Sequence, residues 1–257
     1  LKDLPGFEVT MVNTSRADRV AAILPGARVV KEASEIFANP EVDLVINCAP
    51  NAFHFSLSQQ ALLAGKHVVV EKPFVNSTTE GDELIALATK ENKVLSVFHN
   101  RRWDSDFLTI KKLIKENRLG QIKHFESHFD RWRPTVRTER WREQSGEGAG
   151  LFYDLGPHLI DQAVELFGEP EHLTADIGAQ KNGAASDDYF RVLMNYGPLR
   201  VILQSSSFTE TTPRFQVFGD RAGFVKHGLD PQEAQLKSGM SVSDSRFGTE
   251  AEINFGR

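Results

Sequence analysis

The sequence predicts an α/β fold in which a doubly wound parallel sheet is followed by an α+β domain with an open mixed or antiparallel sheet. Up to about residue 100, short apolar runs alternate with patterns of helical period, which is typical of parallel βαβ units. The run at 44–48 is apolar at nearly every position, as in a strand covered on both faces. Beyond about residue 170, several strand patterns follow one another without helices between them. We therefore expect one domain at 1–100 and a second at 101–257.

In the first domain, each element follows from a local pattern and a local stop signal. A strand at 7–12 leads to a helix at 16–24, which Pro25 and Gly26 end. Gly65 closes a later helix in the same way. The remaining elements follow from the same two periods: strands at 28–30, 44–48, 67–70 and 94–98, and helices at 34–38, 54–64 and 78–91.

In the second domain, the pattern changes to one long helix and a series of strands. An amphipathic helix at 104–117 precedes a strand at 122–129 that alternates apolar and polar residues. A loop at 131–147 is rich in Arg and Trp, and a helix at 150–168 follows it. Further strands are expected at about 171–179, 188–196, 199–208 and 214–219.

The composition of the chain indicates which partners and which cellular compartment to expect. The 257 residues carry a formal net charge of −5, which argues against a nucleic-acid partner. No apolar run reaches the roughly 20 residues of a membrane span, so we expect no membrane partner. The single cysteine, Cys48, excludes an intramolecular disulfide and suits the cytoplasm. Because the chain opens at Leu1 and closes in a polar stretch at 238–257, we expect both ends to be incomplete.

Lys72, in the turn Glu71-Lys72-Pro73, is a candidate catalytic residue. The turn directly follows a buried strand, and ligands of doubly wound sheets bind at the carboxyl ends of strands. An ammonium group there can stabilise negative charge that develops on a reacting oxygen. The alternative is a solvated lysine paired with a nearby acid, and position alone does not decide between them.

Asp154 and His158 lie four residues apart, so they share one face of the predicted helix at 150–168. A histidine can accept a proton from an alcohol, and a neighbouring acid can orient it. The same face carries Asp161 and Gln162, whereas a core stripe is expected at Leu155, Leu159, Ala163, Val164 and Leu166.

The pair also allows two other interpretations. A simple pair on a helix surface, stabilising the helix by a few tenths of a kcal/mol, is favoured when these residues are considered alone. A metal site requires three or four ligands, and no HExxH or CxxC motif supplies the others, so we expect no metal.

The segment from Asn13 to Arg16 bears on the choice of cofactor. In a Rossmann-type domain, an acid at this place binds the ribose 2′-hydroxyl of NAD, and an arginine accommodates the 2′-phosphate of NADP. The segment has no acid, and it offers Thr14, Ser15 and Arg16, which favours NADP over NAD. The alternative interpretation is an ordinary helix N-cap at Thr14 or Ser15.

Aromatic and cationic residues interleave in the stretches Arg131-Trp132-Arg133 and Arg140-Trp141-Arg142. Tryptophan faces suit a sugar or a nicotinamide, and arginine suits hydroxyls or phosphates. We expect Trp141 and Arg142 to contact the cofactor, and Asp130 and Arg131 to contact the substrate. The motif GxGxxG is absent from the 257 residues, and we expect the first strand and its glycine-rich turn upstream of Leu1.

Taken together, these motifs resemble the glucose-fructose oxidoreductase/inositol dehydrogenase/rhizopine-catabolism (Gfo/Idh/MocA) family. The matching residues include the run from Asn47 to Asn51 with His54, the run from Ala64 to Pro73, and GAGLFYDLGPHLID at 148–161. The resemblance covers nearly the whole chain, although the family's glycine-rich loop, last strand and terminal helix have no match. Within the family, the stretches 95–104 and 153–162 are most similar to scyllo-inositol dehydrogenases.

The resemblance implies roles for individual residues. Lys72, Asp154 and His158 correspond to the catalytic set, and the dinucleotide is expected to contact Pro50, Asn51, His54, Glu71 and Asn100. The implied reaction is hydride transfer between NADP(H) and a secondary alcohol of a cyclic polyol or sugar. The implied assembly is a homodimer or homotetramer. Two other hypotheses remain: a dinucleotide-binding sensor without catalysis, and a metal-dependent hydrolase or isomerase.

Overall fold

The chain forms two compact units that meet in sequence between Phe98 and His99. A computed structural model describes residues 4–210 and 212–257. Each unit has its own hydrophobic core, so the two are described separately. Among the described residues, none of the helices combines the length and the apolar run that a bilayer crossing requires.

The first unit is built of parallel strands that alternate with helices, which confirms the predicted class. Its elements are β1 (Met11–Asn13), α1 (Ala17–Ile23), β2 (Arg28–Val30), α2 (Ala33–Ala38), β3 (Leu44–Asn47), α3 (His54–Leu63), β4 (His67–Glu71), α4 (Thr78–Lys90) and β5 (Leu95–Phe98). β1 pairs with β2, and β4 pairs with β3 on one side and β5 on the other, all in parallel.

The strand predicted at 7–12 begins only at Met11. Its partner β2 has three residues, and the pairing covers the three residues of β1 opposite them. Phe7, upstream of this pairing, is 53% exposed. The Thr10 carbonyl accepts from the backbone N–H of Arg28 at 2.8 Å, whereas residues 7–9 lie outside the strand pairing in the described part of the chain, and local propensity alone does not extend the sheet.

The core of the first unit lies between β4 and the helices that follow β3 and β4. Val68 and Val70 of β4 are fully buried together with Leu62 of α3 and Leu84 of α4. Ile46 of β3 is 38% exposed, however. The expectation that the run at 44–48 is covered on both faces is therefore wrong at Ile46 among the described residues.

The second unit contains a six-stranded mixed sheet. Its elements are α5 (Ser105–Lys115), β6 (Ile122–His128), α6 (Gly150–Phe167), β7 (His172–Gly178), β8 (Tyr189–Tyr196), β9 (Leu199–Ser206), β10 (Phe215–Gly219), β11 (Gly223–Lys226) and α7 (Gln232–Lys237). The strand order is β11-β10-β6-β9-β8-β7, and only the β6–β9 pairing is parallel. The predicted mixed sheet is confirmed, whereas β11 and α7 were not predicted.

The core of the second unit lies on one face of this sheet. Phe125, Val201 and Phe215 are fully buried and belong to one cluster with Leu159 of α6 and Phe107 of α5. Residues alternate between the two faces of a strand, so neighbouring positions carry polar side chains that point away from this core. The sheet therefore presents one apolar face to α5 and α6, and this face positions α6.

Candidate functional site

His54 connects two loops at the carboxyl ends of adjacent parallel strands. It is the first residue of α3 and is 1% exposed. Its Nδ1 lies 2.7 Å from the carbonyl oxygen of Pro73, and its Nε2 lies 2.8 Å from the carbonyl oxygen of Ala49. Ala49 follows β3 and Pro73 follows β4. One imidazole thus fixes the distance between the loop that carries Asn51 and the turn that carries Lys72.

Asn47 strengthens the first of these loops. The amide is buried at the end of β3 and donates from Nδ2 to the His54 carbonyl and to Ser58 Oγ, both at 3.1 Å. The backbone N–H of Ala49 donates to Asn47 Oδ1 at 3.2 Å. Our sequence analysis quoted Asn47 only as part of a motif and gave it no role. Its signal was a polar residue inside an apolar strand.

Lys72 directly follows β4 and is half-buried. Its backbone N–H lies 3.3 Å from Glu71 Oε2, and its peptide bond to Pro73 is cis. Asn51 is buried in a short 3-10 turn before α3, and Pro50 beside it is exposed. Pro50, Asn51 and Lys72 therefore follow β3 and β4, and Glu71 is the last residue of β4, at the strand ends where a doubly wound sheet binds its ligands.

The segment after β1 leaves Arg16 exposed. Asn13 Nδ2 donates to the carbonyls of Val30 at 3.2 Å and Lys31 at 2.8 Å, which anchors the segment to the end of β2. The backbone N–H of Arg16 donates to Thr14 Oγ1 at 3.1 Å. The N-cap of α1 is Arg16 and has no side-chain cap bond, so the N-cap interpretation of Thr14 or Ser15 is wrong.

In the second unit, Asp154 and His158 lie one turn apart on α6. His158 is 6% exposed, and its ring centroid lies 6.5 Å from that of Phe129, just beyond β6. Asp154 Oδ1 lies 3.3 Å from Arg142 Nε, and the Arg142 guanidinium lies 4.7 Å from the Trp141 ring. The structure thus places Arg142 against Asp154 and Trp141, and it places His158 against an aromatic wall.

The rest of the polar face of α6 is an internal scaffold. Asp161 accepts two hydrogen bonds from Arg102, at 2.8 Å from Nε and 2.6 Å from Nη2. Gln162 is fully buried, donates to the Arg101 carbonyl at 2.8 Å and accepts from Arg214 at 3.0 Å. Val164, which we expected in the core stripe, is 38% exposed instead. On α6, therefore, a polar residue with hydrogen-bond partners is buried while an apolar residue is exposed.

Arg214, just before β10, was missed by our sequence analysis because nothing in its neighbourhood marks it. Its side chain is 3% exposed, and its guanidinium lies 4.3 Å from the Phe129 ring and 4.0 Å from the Phe215 ring. It donates to Ser127 Oγ and to Gln162. Burial lowers the pKa of Arg214 to about 10, although nearby carboxylates oppose this shift. The Phe129 ring thus packs against both the Arg214 guanidinium and the His158 imidazole.

Asp130, which we expected to contact substrate, is occupied by protein groups. Oδ1 accepts from the backbone N–H of Ser206 at 2.7 Å, and Oδ2 accepts from Thr212 Oγ1 at 2.6 Å. His128 Nδ1 lies 3.0 Å from the same Oδ2. Burial disfavours a charged His128, but hydrogen bonds with Asp130 and Glu126 raise the pKa of its imidazole overall. These contacts fix the Asp130 side chain at the start of the next loop.

Asn100, the remaining residue expected to contact the dinucleotide, begins a short 3-10 turn at Asn100–Trp103. This turn is held by Gln162 at the Arg101 carbonyl and by Asp161 at Arg102. Gln232 Nε2 also donates to the Trp103 carbonyl at 3.1 Å. In the part of the chain that the structure describes, no group of three or more His, Cys, Asp or Glu is arranged to hold a metal ion.

Two family models match the chain, one on each unit. The model described as "Oxidoreductase family, NAD-binding Rossmann fold" of GFO_IDH_MocA matches residues 2–99. The model described as "Oxidoreductase family, C-terminal alpha/beta domain" matches residues 111–253. Together they cover the units that carry Lys72 and the Asp154/His158 pair.

Several proteins are similar along most of their length. The uncharacterized oxidoreductase YdgJ of Escherichia coli is 48% identical over 245 residues, which are 95% of this chain and 70% of that protein. The scyllo-inositol 2-dehydrogenase (NADP(+)) IolW of Bacillus subtilis is 40% identical over 255 residues, 99% of this chain and 71% of IolW. The solved structure of the oxidoreductase yvaA from Bacillus subtilis superposes with a TM-score of 0.96 at 40% identity, covering 100% of this chain and 73% of that one.

Proposed function

This chain belongs to the Gfo/Idh/MocA family of oxidoreductases, and from that premise we propose that it transfers a hydride between a secondary alcohol and NADP(H). The alcohol is a hydroxyl of a cyclic polyol or sugar, with scyllo-inositol as the first candidate. The observation that carries the proposal is the pair on α6, where buried His158 faces Phe129 and Asp154 is held by Arg142. Such a pair suits proton exchange with an alcohol.

Three side chains carry the proposed chemistry. His158 accepts the hydroxyl proton, because a neutral imidazole accepts protons at physiological pH. Lys72 donates a hydrogen bond to the reacting oxygen and stabilises the negative charge that develops there. Asp154 orients the proton-handling group from one helical turn away. The nicotinamide, when bound, accepts or supplies the hydride.

The first unit offers the groups that a dinucleotide requires. The parallel strands β3 and β4 end at the same edge of the sheet, and His54 joins the two loops that follow them. We propose that Pro50, Asn51 and Glu71 contact the dinucleotide from these loops, together with Asn100. Buried His54 acts through the backbone of the two loops. Trp141 and Arg142 are the proposed contacts from the second unit.

NADP is the proposed cofactor in preference to NAD. Arg16 is exposed after β1, and no carboxylate occurs between Asn13 and Arg16. An arginine at this place suits a 2′-phosphate, and an acid would repel it. The relative IolW carries NADP(+) in its name, which supports the same choice. Thr14 and Ser15 offer hydroxyls beside the proposed phosphate.

Absorbance of the reduced nicotinamide tests the proposal directly. The protein is mixed with scyllo-inositol and either NADP⁺ or NAD⁺, and we expect faster turnover with NADP⁺. The variant Arg16→Ala should lose that preference while it keeps turnover with NAD⁺. Binding of NADP(H) without turnover of any polyol or sugar would favour a non-catalytic sensor. Activity that a chelator abolishes would favour the metal-dependent alternative.

Two features of the assembly also remain proposals. The substrate is a small molecule, as the proposed transfer of a hydride from a polyol or sugar requires. The chain forms a homodimer or homotetramer in which one face of the second unit's sheet meets another subunit. Sedimentation of the protein at several concentrations measures this state.

A further inference from the structure

Resting on the proposed function, we propose that among cyclic polyols and sugars the protein prefers those with an anionic group, a phosphate or a carboxylate, over neutral ones such as scyllo-inositol, and that the segment 131–142 binds this group. We call this segment the arginine loop. It contains Arg131, Arg133, Arg137, Arg140 and Arg142 and a single carboxylate, that of Glu139. The whole chain has a net charge of −5, so this concentration of positive charge is a local feature.

The arginine loop borders both members of the proposed proton-handling pair. At its start, the Arg131 guanidinium lies 5.9 Å from the ring of Phe129, the residue that faces His158. At its end, Arg142 Nε lies 3.3 Å from Asp154 Oδ1. A ligand held by the loop therefore lies beside the groups to which we assign the chemistry.

Most of the positive charge on the loop is not neutralised by the protein. Among the described residues, no carboxylate forms an ion pair with Arg131, Arg133, Arg137 or Arg140. Glu143, just beyond the loop, accepts from the backbone N–H of Arg137 at 3.0 Å and lies 3.3 Å from Lys181 Nζ. The carboxylate of Glu143 is therefore already engaged by a backbone group and by another cation.

The positive charges of the loop also act on one another. Burial lowers the pKa of Arg133, and the positive charges of Arg131, Arg137 and Arg140 lower it further, with only Glu143 opposing. Like charges that gather without counter-charges repel one another, and a bound anion relieves that repulsion. Guanidinium groups bind phosphate and carboxylate in a planar, bidentate geometry that a neutral hydroxyl does not match.

The backbone at the start of the loop is anchored to the end of β9 and to the segment that follows it. The N–H groups of Arg131 and Arg133 donate to the carbonyls of Ser206 and Ser207 at 3.0 and 2.8 Å. Trp132 packs edge-on against Phe208, with ring centroids 6.1 Å apart. Trp132 remains 57% exposed and Trp141 38% exposed. The loop thus combines anchored cations with aromatic faces that suit the C–H surface of a sugar ring.

Paired substrates test this proposal. Turnover with NADP⁺ is compared for myo-inositol against an inositol monophosphate, and for glucose against glucose 6-phosphate and glucuronate. We expect the anionic member of at least one pair to have the higher kcat/KM. In the variant Arg133→Gln, the ratio of anionic to neutral kcat/KM should fall by roughly tenfold to a hundredfold, as for loss of a hydrogen bond to a charged group. The ratio should also fall with added salt, because exposed charges are screened.

Two further variants make the comparison specific. Arg131→Gln should lower the same ratio, which keeps the test decisive if Arg133→Gln fails to fold. Arg118→Gln, an exposed arginine after α5, is the matched control and should leave the ratio and the melting temperature unchanged. A rise in KM for NADP⁺ at constant substrate KM in the loop variants would assign the anion to the cofactor and overturn the proposal.

A binding measurement separates this proposal from the proposed function. Titration of tryptophan fluorescence with the anionic and neutral compounds requires no turnover. Saturable binding of the anionic compounds alone, lost in Arg133→Gln, supports the anion site even if no hydride transfer occurs. Turnover of neutral and anionic compounds with equal kcat/KM, unaffected by Arg133→Gln, supports the proposed function and refutes the anion site.

Discussion

Replacing His54 with leucine tests how the loops of the first unit are held. Leucine fills a similar volume but forms no hydrogen bond. The substitution removes the contacts at 2.7 Å to the Pro73 carbonyl and at 2.8 Å to the Ala49 carbonyl. Because His54 is 1% exposed, water does not reach its ring nitrogens to compensate. A neutral imidazole donates from only one of its ring nitrogens, so one of the two carbonyl groups then loses its donor at the place where Lys72 and Asn51 must be positioned.

The magnitude follows from the burial of the two carbonyl groups. A buried acceptor left without a partner destabilises a fold by about 1–3 kcal/mol. Pro73 is buried and Ala49 is half-buried, so loss of a donor to the Pro73 carbonyl lies at the upper end of this range and loss of a donor to the Ala49 carbonyl at the lower end. At about 2–4 °C per kcal/mol for a chain of this size, the melting temperature should fall by roughly 2–12 °C.

The assay combines unfolding with cofactor titration. Thermal and urea unfolding of the full chain measure stability, and NADP(H) fluorescence measures affinity. We expect His54→Leu to lose stability and to bind NADP(H) more weakly, because both loops shift. His54→Gln should fall between the variant and the native protein, since an amide reaches one carbonyl. The matched control His172→Leu, on exposed β7, should change stability by less than about 0.5 kcal/mol.

The reasoning would be refuted by a His54→Leu protein that melts with the control and binds NADP(H) as the native protein does. Such a result would mean that neighbouring contacts, such as those of Asn47, suffice to hold both loops. A loss of stability without any change in NADP(H) affinity would mean that His54 stabilises the fold but does not position the loops for cofactor binding.

Three further predictions concern other groups. Lys72→Met should keep NADP(H) binding but remove turnover, and unchanged kcat would reject the assigned role of the lysine. Arg214→Met should destabilise the fold by roughly 3–5 kcal/mol in urea unfolding, because it removes a buried charged donor from several acceptors. The pKa of His128 is raised by Asp130 and Glu126 after burial has opposed the shift. Its folded pKa exceeds the unfolded value of about 6.5, so its stabilising effect is complete below that pH and is lost as pH rises through the folded pKa. Unfolding of His128→Gln should lack this decline, and parallel curves for the two proteins would contradict it.

Local patterns predicted most elements of the fold because burial repeats with the period of each element. The helix expected at 54–64 is α3, His54–Leu63, and the strand expected at 28–30 is β2 with the same bounds. The two elements that the sequence analysis did not predict, β11 and α7, lack such a pattern. β11 has four residues and is defined by its pairing with β10. α7 has six residues, too few to form a stable helix alone, and contacts such as that of Glu233 with Arg101 hold it.

The structure confirms the predicted positions of the candidate residues, with Lys72 directly after β4 and the pair Asp154 and His158 on one helix, whereas their chemical roles stay predictions. The supporting residues were not predicted, because their partners are distant in sequence. Arg214 contacts Gln162 across 52 positions and Ser127 across 87. No local period encodes such a contact, and a buried arginine has the same sequence signal as an exposed one.

The polar face of α6 shows why these two kinds of residue belong together. The helical period predicts that polar residues on this face are exposed to solvent. Gln162 is fully buried, however, and Asp161 accepts a hydrogen bond from Arg102. A buried polar group persists only when its hydrogen bonds are made, so such a network permits few alternative arrangements. The side chains that hold α6 lie on the same face as His158. The rigidity that the proposed proton transfer by His158 requires therefore comes from the polar contacts around the imidazole as well as from the apolar core beneath it.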